Sequence, residues 1–226
     1  MVKEYDVVAI GTGSAMNIVS ALLDMYPDMT FAVIDKDEPG GICLTRGCIP
    51  TKILLYHADL VREIECAREF GIDVEIRGIN FGAVMERMRN LIYRDINMIR
   101  KGLSHSKRID YYPEVAEFIA PYTLRVGKEV IKGKKILLCT GSKPLIPPIK
   151  GVESVGYHTS DTILKIKDKP ESMVIVGGGY IAAEYGHFFS AMGTDVTVVG
   201  RNPQFLPQEE RRYRLWPSER WENTWR

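Results

Sequence analysis

Cys43 and Cys48 stand in the run Gly40-Gly41-Ile42-Cys43-Leu44-Thr45-Arg46-Gly47-Cys48-Ile49-Pro50-Thr51-Lys52. In a regular α-helix, residues five apart have Cα atoms about 8.7 Å from each other. A disulfide needs less than about 7 Å. If these two pair, the backbone must bend between them, and Gly47 is available to bend it. A close pair that needs a special backbone points to thiol chemistry rather than stapling. Zinc ligation is the competing reading, but no second Cys or His pair has matching spacing, so no metal site is expected. Cys66 and Cys139 lie in apolar-periodic contexts and read as core residues.

The elements that must position this pair begin at the N-terminus. Val7 to Ile10 reads as a buried parallel strand, Gly11-Thr12-Gly13-Ser14 as a turn, Ala15 to Met25 as an apolar helix, and Thr30 to Ile34 as a second strand ending at Asp35. This is a βαβ unit with an acid where a dinucleotide fold needs one to hold ribose hydroxyls. The glycines let the backbone approach a pyrophosphate at the helix N-terminus. Met16 occupies the third small position of the pattern, which is a departure. The pattern then repeats. Met173 to Val176 is a strand, Gly177-Gly178-Gly179-Tyr180-Ile181 a turn, Ala182 to Met192 a helix and Asp195 to Val199 a strand. Here the strand ends in Gly200-Arg201. The ribose-holding acid is absent and a guanidinium, suited to a 2′-phosphate, stands beside its place. Two dinucleotide units in one chain imply two nucleotides and electron transfer between cofactors.

Between the repeats, Thr51 to Phe70 and Phe81 to Leu103 read as helices, Leu124–Val126 and Glu129–Ile131 as a hairpin about Gly127-Lys128, and Lys135 to Cys139 as a buried strand. A proline-rich connection from Pro144 to Gly151 is the best domain boundary. The net charge of +1, with no basic block before the last twenty residues, gives no reason to expect a nucleic-acid partner. No apolar run approaches the roughly 18 residues that span a bilayer. The N-terminus has no signal-peptide pattern, so a cytoplasmic location is expected. In such a reducing compartment a close cysteine pair is catalytic or metal-binding more often than structural.

Together these segments resemble the FAD-dependent pyridine-nucleotide disulfide oxidoreductases, in the branch of dihydrolipoamide dehydrogenase and mycothione reductase, over roughly residues 1–207. The resemblance implies an α/β fold of two Rossmann-like dinucleotide-binding units, the second incomplete. Residues 1–146 would be the first segment of an FAD-binding domain and 147–207 the start of an NAD(P)-binding domain. The resemblance makes Cys48 the flavin-facing thiolate and Cys43 the outer thiol that exchanges with substrate. Lys52 would pair with Glu184 near the flavin, and Tyr180 would cover the face where nicotinamide stacks. The implied cofactor-binding set is Gly11, Gly13, Ser14, Asp35, Lys36, Gly41, Thr51, Lys52, Thr140, Gly141, Gly177, Gly179, Tyr180, Ile181, Glu184 and Arg201. The implied partners are a small-molecule or lipoyl-bound disulfide or dithiol and, in the full-length family, a second subunit. His187, one turn beyond Glu184, reads as a packing or surface histidine, and His57, His105 and His158 as histidines without a partner.

The chain departs from the family at its end. All three tryptophans, Trp216, Trp221 and Trp225, fall among five arginines in the last sixteen residues, with no helical or strand period. The expectation is an atypical tail over 208–226, arising from a reading-frame shift near Glu210. The family's returning FAD segment, its dimerisation domain and its acid–base His and Glu are expected to be missing. A non-catalytic nucleotide-binding fragment is therefore the alternative to the enzyme.

Overall fold

The computed structural model describes residues 2–202 and 204–206. The tail, and the frame-shift expectation with it, lies outside them. The chain divides into two compact units, Met1–Ile49 with Asn90–Tyr157, and Pro50–Arg89 with His158–Arg226.

The first unit is built on a sheet. Strand β1 (Lys3–Ile10) leads into helix α1 (Ala15–Met25) and strand β2 (Phe31–Ile34). A short helix α2 (Gly41–Arg46) follows, and then helix α3 (Cys48–Cys66) begins. Helix α4 (Phe81–His105) delivers the chain to strands β3 (Ile109–Tyr112), β4 (Ala116–Ala120), β5 (Thr123–Val126) and β6 (Glu129–Leu138). The sheet order is β3-β2-β1-β6-β5-β4. The first four strands are parallel, and β5 and β4 add an antiparallel meander. All four residues of β2 are buried, as expected of a parallel strand covered on both faces. Val7, Ala9, Phe31 and Val33 face Ala15 and Val19 of α1 and Leu103 of α4. Val8, Ala32 and Ile34 face the other way, onto Leu124, Val126 and Ile131.

The second unit holds strand β7 (Ser172–Val176), helix α5 (Tyr180–Ala191) and strand β8 (Asp195–Val199), the strands pairing in parallel. Its core is aromatic. Phe188 and Phe189 meet edge to face at 5.0 Å between centroids, and Phe81 lies 6.0 and 6.1 Å from them. Val174, Val176 and Val199 are exposed.

Several expectations change. Lys135 to Cys139 is not a separate buried strand but the far half of β6 and the residue after it; Lys135 and Leu138 are exposed. Strands β3 and β4 were not expected. Cys66 is exposed rather than buried, because it ends α3 on the polar side. Cys139 is half-buried against the first core cluster. Among the described residues no helix is long and apolar enough to cross a membrane, and no group of three His, Cys, Asp or Glu could hold a metal.

Candidate active site

The cysteine pair is positioned by a helix break. Helix α2 ends at Arg46, Gly47 takes φ −130° and ψ −117°, and α3 starts at Cys48. Continuation of one helix through Gly47 would have kept the cysteines apart. A Cβ on Gly47 would lie 2.8 Å from the Ile42 carbonyl oxygen and 3.3 Å from the Cys43 Cα, so only glycine fits the bend. Both cysteines are exposed, and no disulfide joins them. A hydrogen bond to Cys48 holds the Cys43 thiol above the ordinary thiol range; burial and the negative charge of Cys48 act in the same direction. Backbone N–H groups of Cys48 and Ile49 pull the other way and do not prevail. Cys43 is thus the thiol that holds its proton longer, with Cys48 as its hydrogen-bond partner.

The glycine turn of the first unit touches this loop directly. Gly41 has φ +67°, and a Cβ there would lie 2.4 Å from the Cα of Gly13. Two backbones therefore approach at a spot that no side chain can enter, directly before α1. No side chain caps α1 at Ser14, and its first turn holds no acid. That is a cradle open to a phosphate. Ala15 rather than Met16 makes the close helix–strand contact: Ala15 is fully buried while Met16 is partly buried.

Asp35 is more engaged than the sequence implied. Its Oδ2 accepts from the Thr12 N–H at 2.8 Å and the Thr12 Oγ1–H at 2.6 Å, and its Oδ1 accepts from the Asp37 N–H at 3.0 Å. Thr12 Oγ1 in turn accepts from the Gly40 N–H at 3.1 Å. The carboxylate thus ties the glycine turn to the segment entering α2. Lys36 is exposed beside it. Thr140 and Gly141 follow β6; Gly141 has φ +73°, and a Cβ there would lie 3.1 Å from Ile42 Cδ1.

In the second unit Gly177 opens the turn at φ +114°, its N–H donating to the Val199 carbonyl at 2.8 Å. A Cβ on Gly177 or Gly179 would meet nothing within 4 Å among the described residues. Tyr180 and Ile181 are exposed on the first turn of α5, and Arg201 is exposed just past β8. Lys52 donates to Glu184 Oε1. Thr51 is buried one residue earlier. With Lys52 well exposed, the pair contributes at most about 1 kcal/mol.

Sequence reasoning missed three features. His187 is no isolated histidine: its Nε2 lies 2.9 Å from Asp59 Oδ1. The other three histidines also have partners, His57 at the Ile53 carbonyl, His105 at the Lys101 carbonyl and His158 at Thr162 Oγ1. Arg46 pairs with Asp37 at 3.4 Å. The Tyr185 hydroxyl is buried without a hydrogen-bond partner, and burial pushes it upward from the usual phenol range, with the charges of Glu184 and Asp161 adding to the effect. The His187–Asp59 contact and the burial of the Tyr185 hydroxyl depend on tertiary packing, whereas the other three histidine contacts each span only four residues.

The glycine turn of the first unit thus stands backbone to backbone with the loop that carries a bent cysteine pair. Residues 5–224 match the profile of the family described as pyridine nucleotide-disulphide oxidoreductase, and the chain belongs to that family. It is 36% identical over 214 residues to mycothione reductase of Mycobacterium tuberculosis, covering 90% of this chain and 45% of that protein. It is also 36% identical over 211 residues to dihydrolipoyl dehydrogenase of Chlamydia trachomatis, covering 91% and 45%. Among solved structures, the HOCl-induced flavoprotein disulfide reductase RclA from Escherichia coli superposes with a TM-score of 0.83 at 28% identity, covering 97% of this chain and 47% of that one. The chain thus spans about half the length of the relatives it matches.

Proposed function

We propose that the chain carries the cofactor-binding and redox portion of a flavoprotein disulfide oxidoreductase, with dihydrolipoamide or lipoyl-bound disulfide as the leading substrate class. The observation that carries this is the bend at Gly47, which joins two exposed, hydrogen-bonded thiols to a loop packed backbone to backbone against the glycine turn. The residues fit the cofactors. The Gly13–Gly41 cradle and the uncapped N-terminus of α1 suit the pyrophosphate of FAD. Ser14, Asp35, Lys36, Thr140 and Gly141 are assigned to the same ligand. Gly177, Gly179, Tyr180, Ile181 and Arg201 are assigned to NAD(P). Lys52 and Glu184 take the family's charge-pair role. Bound FAD would relay an electron pair between nicotinamide and the cysteines.

In the reducing direction the Cys43 thiolate attacks one sulfur of the substrate disulfide. That S–S bond breaks, a mixed disulfide forms, and the first substrate thiol leaves with a proton. Cys48 then attacks the Cys43 sulfur, the second thiol leaves and the Cys43–Cys48 disulfide forms. The substrate gains two electrons that the pair loses, and a dithiol substrate runs the sequence backwards. Cys43 must shed its proton before it attacks, so its raised position makes the exchange faster as pH rises. The 36% identity to mycothione reductase, with Arg201 in place of a ribose-holding acid, favours a small-disulfide reductase using NADPH as the second reading.

The test is nicotinamide-dependent turnover of lipoamide and of mycothiol disulfide by the FAD-reconstituted chain, with Cys43→Ser and Cys48→Ser. Thiol release that either substitution abolishes is expected. Turnover that both variants retain would overturn the assignment.

A further inference from the structure

Arg46 lies between the two cysteines, on the last turn of α2 and three residues after Cys43. Its guanidinium is engaged at both terminal nitrogens. Nη2 donates to Asp37 Oδ2 at 3.4 Å and Nη1 to Thr45 Oγ1 at 3.3 Å, while the Thr45 hydroxyl donates to the Gly41 carbonyl at 2.8 Å. Asp37 is not an isolated acid. Its backbone N–H donates to Asp35, and Asp35 holds Thr12 through two further hydrogen bonds. A second cross-link, from Arg100 of α4 to Glu38, fastens the neighbouring residue of the same segment. The segment after β2 is therefore bound at one end to the glycine turn and at the other to the cysteine loop.

We propose that Arg46 is a positioning residue. Through Asp37 it fixes the bend between Cys43 and Cys48 to the segment that bears Asp35, so that the thiol pair and the glycine turn hold their places as one hydrogen-bonded body. This builds on the reading of Cys43 and Cys48 as the redox pair, but its test does not need bound flavin or turnover. The physical logic is one of register. The helix break leaves α2 only six residues long, too short to be stable by itself. Gly47 supplies the bend without supplying stiffness. A side-chain tie is what keeps the Cys43 sulfur against Cys48, and that contact is what holds the Cys43 thiol protonated.

The experiment is differential alkylation of the reduced, flavin-free chain with iodoacetamide at pH 8, read residue by residue by mass spectrometry, with half-buried Cys139 as internal reference. With Arg46 about a quarter exposed and Asp37 half exposed, the tie is in the surface range, so breaking it raises the Cys43 rate about 1.4- to 5-fold relative to Cys139. Arg46→Ala and Asp37→Ala should each give that rise. The double variant should add nothing beyond either single one, and the exchanged pair Arg46→Asp with Asp37→Arg should return the rate toward the original. Unchanged Cys43 labelling in both single variants, or a double variant whose effect is the product of the two, would overturn the proposal. So would an exchanged pair that labels as fast as the single variants. A chain that failed to bind FAD would leave all these outcomes readable, so loss of the functional reading and loss of this inference are separate results.

Discussion

Replacing Gly41 by alanine tests the backbone contact on which the site is built. Two costs combine there. The residue sits at φ +67°, and a side chain in the left-handed region costs about 1–2 kcal/mol. The new Cβ would also lie 2.4 Å from the Gly13 Cα, where backbone rather than a flexible side-chain end must move, at about 1–3 kcal/mol. The sum is about 2–5 kcal/mol. Two other glycines separate the terms. Gly71 has φ +79° but open space around it, so Gly71→Ala should cost about 1–2 kcal/mol from strain alone. Gly13 has no left-handed strain and its Cβ would meet only the Gly41 Cα at 3.3 Å, so Gly13→Ala should cost about 1 kcal/mol or less. Urea unfolding with a constant m-value reads all three. If Gly41→Ala is no more destabilising than Gly71→Ala, the two loops do not touch as described and the phosphate cradle loses its basis.

Four further outcomes are expected. Cys48→Ala removes the acceptor and the charge that hold Cys43 protonated, so the midpoint of Cys43 alkylation should move to lower pH; a midpoint that stays or rises would contradict the assignment of donor and acceptor. Asp35→Ala leaves the buried Thr12 N–H and hydroxyl without their acceptor and should cost about 1–3 kcal/mol in urea unfolding, against no loss if Asp35 serves a ligand alone. Tyr185→Phe removes a buried hydroxyl that has no hydrogen-bond partner, so thermal unfolding should occur at the same or a higher temperature; a clear drop would show that the hydroxyl is engaged. Arg201→Ala should lower binding of NADPH relative to NADH, measured by fluorescence titration, and an NADH preference unaffected by the change would remove Arg201 from the site.

Much of this architecture was legible because its signals are local. The two turns, Gly11 to Ser14 and Gly177 to Gly179, each lie between a short apolar strand and an apolar helix, and that order fixes a βαβ unit without long-range information. The bend at Gly47 followed from the mismatch between helical spacing and disulfide reach. Strand β3 was invisible because Ile109–Tyr112 is four residues with one buried position; it becomes a strand only by pairing with β2. Strand β4 is mostly exposed at the sheet edge and has no buried face to leave a period. The pairing of His187 with Asp59, 128 residues apart, depends on tertiary packing that spacing cannot encode. Asp35 was read as a ligand group because its place in the motif says so, whereas its hydrogen bonds to Thr12 depend on the loop's folded path.

If one unit joins FAD to a redox-active Cys43–Cys48 pair, anaerobic reductive titration of the FAD-reconstituted chain will show it. Dithionite should deliver two electron pairs per bound flavin, one to the flavin and one to the disulfide, while Cys43→Ser and Cys48→Ser should each take up only the flavin's pair. Uptake of a single pair by the unsubstituted, oxidised chain, the same as in both variants, would contradict the claim.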